Sequence, residues 1–257
     1  MNGSESDPCL RVLGPLEIGS ESRSSALGTP KQRALLGTLL LDANRTVSVA
    51  RIAGALWEGT PPRSANANVQ TYVSGVRRIL EERLANGGGR IMTRHPGYAI
   101  SVAPGELDLA VFTALADRGR AELRNGDPAS AAETLGDAML LWRGRPLEDI
   151  PLSSLLEAQV VALEDMRVSV LNDWAAARLQ LGEHEDLISE LRLMTGCWPL
   201  SERTWYHLML ALYRSGRRAD ALEAFMQARQ AMVSQVGIEP SEQLRAVQEA
   251  ILAEGSP

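Results

Sequence analysis

The 257-residue chain is short of several residue types, and each shortage removes a class of function. Its two cysteines, Cys9 and Cys197, stand far apart, which fits a reducing compartment better than a disulfide framework. The three histidines (His95, His184 and His207) are equally scattered, with no metal-ligand spacing around any of them, so no metal site is expected. The N-terminal MNGSESDPCL lacks the basic flank and apolar centre of a secretory signal. The densest apolar run, LLGTLLL from Leu35 to Leu41, falls far short of the roughly 20 residues that span a bilayer. A soluble protein of the cytoplasm is the expectation.

Catalytic signatures are missing too. There is no G-x-x-x-x-G-K-[ST], no HExxH and no GxSxG, and the triple glycine at 87–89 is not followed by lysine. His184 lies among Glu183, Glu185 and Asp186, but it sits beside a repeat turn and reads as a solvated cluster. The chain is not expected to be an enzyme or to need a cofactor.

Lysine occurs once, at Lys31, so nearly all positive charge is arginine. The formal net charge is −6, which on its face argues against a nucleic-acid binder. The average conceals two halves of opposite sign. Residues 1–105 carry 12 Arg/Lys against 8 Asp/Glu, whereas residues 106–257 carry 14 against 24. Within 63–94, Arg63, Arg77, Arg78, Arg83, Arg90 and Arg94 face only Glu81 and Glu82. Such asymmetry is expected where one half meets a polyanion, although a solvated basic face would look the same.

Residues 10–28 read as short strands broken by turns, LRVL then Gly14-Pro15 then LEI, before a Gly/Ser-rich stretch. Thr29 as N-cap and Pro30 at the first helical position predict a helix through KQRALLGTLLL. Ser48 caps a second, VARIAGALW, with Ile52 and Leu56 on its apolar stripe. A third starts near Ser64, where Val69, Val73, Val76, Leu80 and Leu84 mark a buried face. Its opposite face carries Ser64, Asn68, Thr71, Ser74, Gly75 and Arg78, with Gln70 and Arg77 on one flank and Tyr72 on the other. Small polar groups plus arginine suit a major groove, because amides and hydroxyls exchange hydrogen bonds with base edges. RIMTR and YAISV then form a hairpin around Pro96-Gly97, which reads as a type II turn. Taken singly, each of these residues has an ordinary surface or packing reading. Tyr72 and Trp57 could pack the domain, and Lys31 and Arg33 are open between phosphate contact and surface charge.

Strands, three helices and a basic hairpin make a winged helix-turn-helix. The stretch from about 10 to 103 also resembles the OmpR-type DNA-binding domain of the actinobacterial antibiotic regulators (the SARP family), in LGPLEI, TPKQRALLGTLLL, ALW, VQTYVSGVRRIL and TRHPGYAISV. Gly75 departs from the family pattern, which often has a basic residue there.

From 106 the chain reads as helix after helix. Gly182 and Gly216 lie 34 residues apart, the period of tetratricopeptide repeats. Trp205, Leu208, Gly216, Ala221, Phe225 and Ala228 fit the last repeat, and Leu171, Trp174, Gly182, Leu187, Leu191 and Met194 the one before. Leu115, Gly119, Gly126, Ala131, Leu135 and Ala138 form a weaker first copy. LWRGRPLEDIP reads as a loop interrupting the stack. These are packing positions, and they imply a surface for a protein partner. By resemblance, residues 106–254 look like the bacterial transcriptional activation domain that follows the winged helix in the same family.

The sequence therefore predicts a mainly α protein with three parts. Residues 1–9 form a disordered N-terminus, 10–105 a winged helix with a β-hairpin wing, and 106–257 an all-α TPR-like domain. The expected DNA contacts are Arg63, Ser64, Asn68, Gln70, Thr71, Tyr72, Ser74, Arg77, Arg78, Arg94 and Lys31. The resemblance implies a homodimer on direct repeats of promoter DNA, recruitment of RNA polymerase with its sigma factor, and an antibiotic or other secondary-metabolite cluster as target. A repressor using the same DNA-binding half, or a repeat scaffold for proteins or an effector, are the alternatives.

Overall fold

A computed structural model describes residues 8–19, 27–84 and 86–253 of the chain. The predicted disordered segment 1–9 lies outside these residues up to Asp7, as does most of the Gly/Ser-rich stretch before Leu27. The chain packs as two units, and the boundary between them falls inside helices. One comprises residues up to Leu115 together with Asp137–Arg167; the other comprises Ala116–Gly136 and the residues from Val168 onward.

The first unit opens with β1 (Leu10–Arg11) and β2 (Glu17–Ile18), an antiparallel pair. Helix α1 (Pro30–Leu41) starts as its sequence dictates. Thr29 accepts from the Gln32 amide N–H, and the Gln32 side chain returns to the Thr29 N–H, a complete capping box ahead of Pro30. Strand β3 (Val47–Ser48) leads into α2 (Val49–Leu56), where the Ser48 hydroxyl accepts from Arg51 N–H. Helix α3 (Ala65–Arg83) buries Val69, Val73, Val76 and Leu80, the predicted stripe, against α1 and α2. Strands β4 (Ile91–Arg94) and β5 (Gly97–Ile100) form the wing, and β3 pairs on the free side of β5 to give the order β3-β5-β4.

The wing's tip is not the type II turn that Pro96-Gly97 suggests. The His95–Pro96 peptide is cis, and Gly97 lacks the positive φ which that turn requires. Gly97 instead begins β5 opposite Ser48, where an added Cβ would fall 1.8 Å from the Val47 carbonyl oxygen. Close approach of β3 is what requires glycine here.

The unit's core continues past residue 105. Leu147, Ile150 and Leu156 are buried in the same apolar cluster as Leu35, Leu39, Val69 and Ile100. Asp108, at the start of α4 (Asp108–Arg124), accepts from the buried N–H groups of Val12 and Leu13 at 2.9 Å. Burial pushes the Asp108 carboxyl upward, opposed by these bonds, by that from Leu109 N–H and by the charge of Arg143. The expected interrupting loop lies between α5 (Pro128–Leu140) and α6 (Ser154–Gln180), and it holds the β1–β2 turn. Arg143 N–H donates to Leu13 C=O, Leu147 N–H to Gly14 C=O, and Leu16 N–H to the Asp149 carboxylate.

The second unit has a separate core built from α6, α7 (His184–Cys197), α8 (Glu202–Arg214), α9 (Arg218–Val236) and α10 (Glu242–Leu252). Leu187, Leu191, Met194, Trp205, Leu208, Ala221, Phe225 and Ala228 are buried at their predicted repeat positions. Gly182 and Gly216 occupy equivalent turns, after α6 and after α8, with φ of 83° and 75°. A left-handed residue there ends one helix and turns the chain back antiparallel, which accounts for the glycine period.

Candidate nucleic-acid interface

Helix α3 is launched by a turn in which Ala65 N–H donates to Pro62 C=O, and it presents its polar side to solvent. Ser64, Gln70, Thr71, Ser74 and Arg78 are exposed, and Asn68 is half-buried. Asn68 donates to the Ser64 hydroxyl at 3.2 Å and Thr71 to Ala67 C=O at 3.1 Å, so both are oriented before any ligand arrives. The Arg78 side chain is 79% exposed, and its Glu82 partner at 3.7 Å is an open i,i+4 pair. Exposed pairs of this kind contribute little, which leaves Arg78 able to swing to a phosphate or a base edge. Arg63 before α3 and Arg94 at the wing tip are exposed as well.

Three of the expected contacts have other jobs. Lys31 donates through Nζ to Leu56 C=O at the end of α2 and lies 5.5 Å from the centre of the Trp57 ring. Tyr72 is half-buried against the same Trp57, with ring centres 6.3 Å apart. Both residues therefore pack the flank of the unit instead of facing solvent with Arg78. Arg77 joins α3 to the wing: Nε donates to Ile91 C=O and Nη2 to Thr93 Oγ1, each at 3.1 Å. Removing it by Arg77→Ala is expected to destabilise the unit by about 1–2 kcal/mol. Urea denaturation checks the magnitude, and faster amide exchange in β4 and β5 checks the place. Arg90 is committed too, in a two-pronged pair with Glu106. That pair holds the Glu106 carboxyl down at about 2.

Ala67 was not foreseen. It is exposed one turn from both Ser64 and Thr71, and its methyl group sits centrally on the polar face, where it could meet a thymine methyl. Continuing the Ser64-Thr71-Ser74-Arg78 register back by four residues from Thr71 would have found it. Gly75 also acquires a reason. A Cβ there would lie 2.0 Å from Gln32 Nε2, so glycine makes room for the capping box of α1.

Residues 24–100 match the family described as "Transcriptional regulatory protein, C terminal", and residues 107–252 the "Bacterial transcriptional activator domain". Regulatory protein DnrI of Streptomyces peucetius is 35% identical over 248 residues, covering 95% of this chain and 91% of that protein. The chain belongs to the SARP family of transcriptional regulators. Transcriptional regulator RedD of Streptomyces coelicolor is 32% identical, across 95% of this chain and 70% of its own length. The chain spans only 24% of regulatory protein AfsR from the same organism, at 36% identity. Among solved structures, Mycobacterium tuberculosis EmbR in complex with a low-affinity phosphopeptide superposes with a TM-score of 0.88 at 32% identity, over 96% of this chain and 65% of that one. The winged helix-turn-helix and helical domain are thus those of a family of DNA-binding transcriptional activators.

Proposed function

We propose that residues 10–105 read promoter DNA and residues 106–257 present the activating surface. In this reading α3 enters the major groove with Ser64, Asn68, Thr71, Ser74 and Arg78 toward the bases, Gln70 at its flank, and Ala67 between them. Arg63 holds a phosphate, and Arg94 reaches an adjacent backbone or minor groove. The observation that carries this is the solvent-facing side of α3, where small polar side chains surround the weakly paired Arg78. We further propose a homodimer on direct repeats, acting in the cytoplasm on the nucleoid, that recruits RNA polymerase with its sigma factor to a secondary-metabolite cluster. The kinship with DnrI and RedD supports the regulatory role, and the acidic second half is suited to face away from DNA.

A mobility shift of the full chain on promoter DNA at two salt concentrations is the test. Affinity should fall with a log–log slope of roughly −0.9 per phosphate neutralised. Arg78→Ala should weaken binding by about 1–3 kcal/mol and relax preference at one base pair. An equal loss on every sequence would reassign Arg78 to the backbone. Absence of binding at low salt would overturn the reading. In vitro transcription with purified polymerase separates activation from repression.

A further inference from the structure

Gly75 is the one position of α3 without a side chain, and the space is taken by a residue of α1. A Cβ at Gly75 would fall 2.0 Å from Gln32 Nε2. Gly75 lies one helical turn from the exposed Thr71 and from the exposed Arg78. Helix α1 therefore places an amide where α3 would otherwise present a side chain of its own. Gly28 admits the same amide from the other end: its φ is 82°, and a Cβ there would meet Gln32 Oε1 at 2.4 Å.

The capping box of α1 orients this amide. Gln32 Oε1 accepts from Thr29 N–H at 2.8 Å, and only the oxygen end of an amide can do so, which fixes the nitrogen end toward Gly75. The box makes no use of Nε2. Neither N–H of Nε2 meets an acceptor among the described residues, and the nitrogen is not sealed from solvent. What α1 offers beside Thr71 and Arg78 is thus a pair of donors held in place. An amide reads adenine by donating and accepting at once. Gln32, its oxygen turned to Thr29, presents donors alone, which suit a phosphate oxygen. Contacts of that kind make up the larger share of protein–DNA hydrogen bonds and set how a helix lies in its groove.

We propose that Gln32 is a DNA contact made from α1, with Nε2 donating to a phosphate oxygen at the rim of the groove that α3 enters. This role rests on the placement of α3 in the major groove and adds a second helix to that contact. Gly75 is the residue that admits it.

The test is Gln32→Glu in the full chain, measured by mobility shift on promoter DNA. Glutamate also closes a capping box, and an acidic group suits the first turn of a helix. The urea midpoint should therefore stay level or rise, while the donor pair becomes a carboxylate facing the phosphate. Binding should weaken about tenfold, by the same factor on promoter and scrambled duplexes. An uncharged methylphosphonate, moved along the site one linkage at a time, should restore most of that loss at one position. Gly75→Ala removes a glycine from α3, which favours the helix, but pushes the amide aside. It should weaken binding in the wild-type chain and have no further effect in Gln32→Ala. Gln32→Glu binding within twofold of the wild type would overturn the proposal and leave the reading of α3 intact. A loss confined to one base pair, or no rescue at any linkage, would overturn the phosphate contact. Should Gln32→Glu not fold, equal binding by Gly75→Ala and the wild type overturns it instead. A wild-type chain that fails to bind at low salt overturns both readings.

Discussion

Leu147→Ala is expected to destabilise the DNA-binding unit by about 2–5 kcal/mol, although Leu147 lies in the stretch matched to the activator domain. The side chain is fully buried, touches the same cluster as α1 and α3, and fills the space against Gly37. Its N–H also closes the β1–β2 turn by donating to Gly14 C=O at 2.7 Å. Truncation leaves a cavity whose lining loses contacts outright. Urea denaturation gives the magnitude, and a mobility shift near the wild-type melting temperature should show DNA binding lost along with the fold. Leu140→Ala, at a side chain 81% exposed, should change stability by no more than about 0.5 kcal/mol. By the same argument a fragment ending at residue 105 lacks Leu147, Ile150 and Leu156, each contributing roughly 1.5–3 kcal/mol of burial. It also leaves the Val12 and Leu13 N–H groups without the Asp108 carboxylate. Such a fragment should unfold without cooperativity. Equal stability of Leu147→Ala and the wild type would mean that the unit is complete by residue 105.

That dependence was not legible in the sequence, and the reason is physical. Leu147 and Ile150 stand in a polar loop with neither helical nor strand period, so nothing local marks them as core. Long-range contact alone decides their burial. The stripe of α3, the caps Thr29 and Ser48, and the turn glycines Gly182 and Gly216 were legible because each follows from local geometry. Arginine gave the weakest signal. Arg77, Arg78, Arg90 and Arg94 look alike in a charge count. Arg77 ends on the wing backbone and Arg90 on Glu106, while Arg78 and Arg94 remain exposed. A side chain with a long reach chooses its partner from the tertiary neighbourhood, which periodicity does not encode. Gly75 and Gly97 make the same point: each yields to the close approach of a segment remote in sequence.

Acid should weaken the second unit in a window set by His207. Its pKa falls from 6.5 to about 4 on folding, chiefly through burial. Between these values the unfolded chain binds the proton and the folded chain does not, so stability falls as pH drops. The loss begins below about pH 6.5, reaches about 2 kcal/mol at pH 5 and about 3 kcal/mol at pH 4. Glu106 acts in a lower window: held at about 2 by Arg90, it adds stability above pH 4.5 that disappears as the pH falls toward 2. Burial and Arg214 also lower the His184 pKa, but that ring is only half-buried. Urea denaturation at pH 7, 6 and 5, read through amide exchange of α8, should show the steep loss, with α3 far less sensitive. In His207→Phe the slope between pH 6.5 and 5 should flatten, since no buried imidazole remains to be protonated by unfolding. An unchanged slope in that variant would place the acid sensitivity elsewhere. A wild-type slope near zero would instead mean that the imidazole titrates normally in the folded chain, its nitrogens already satisfied.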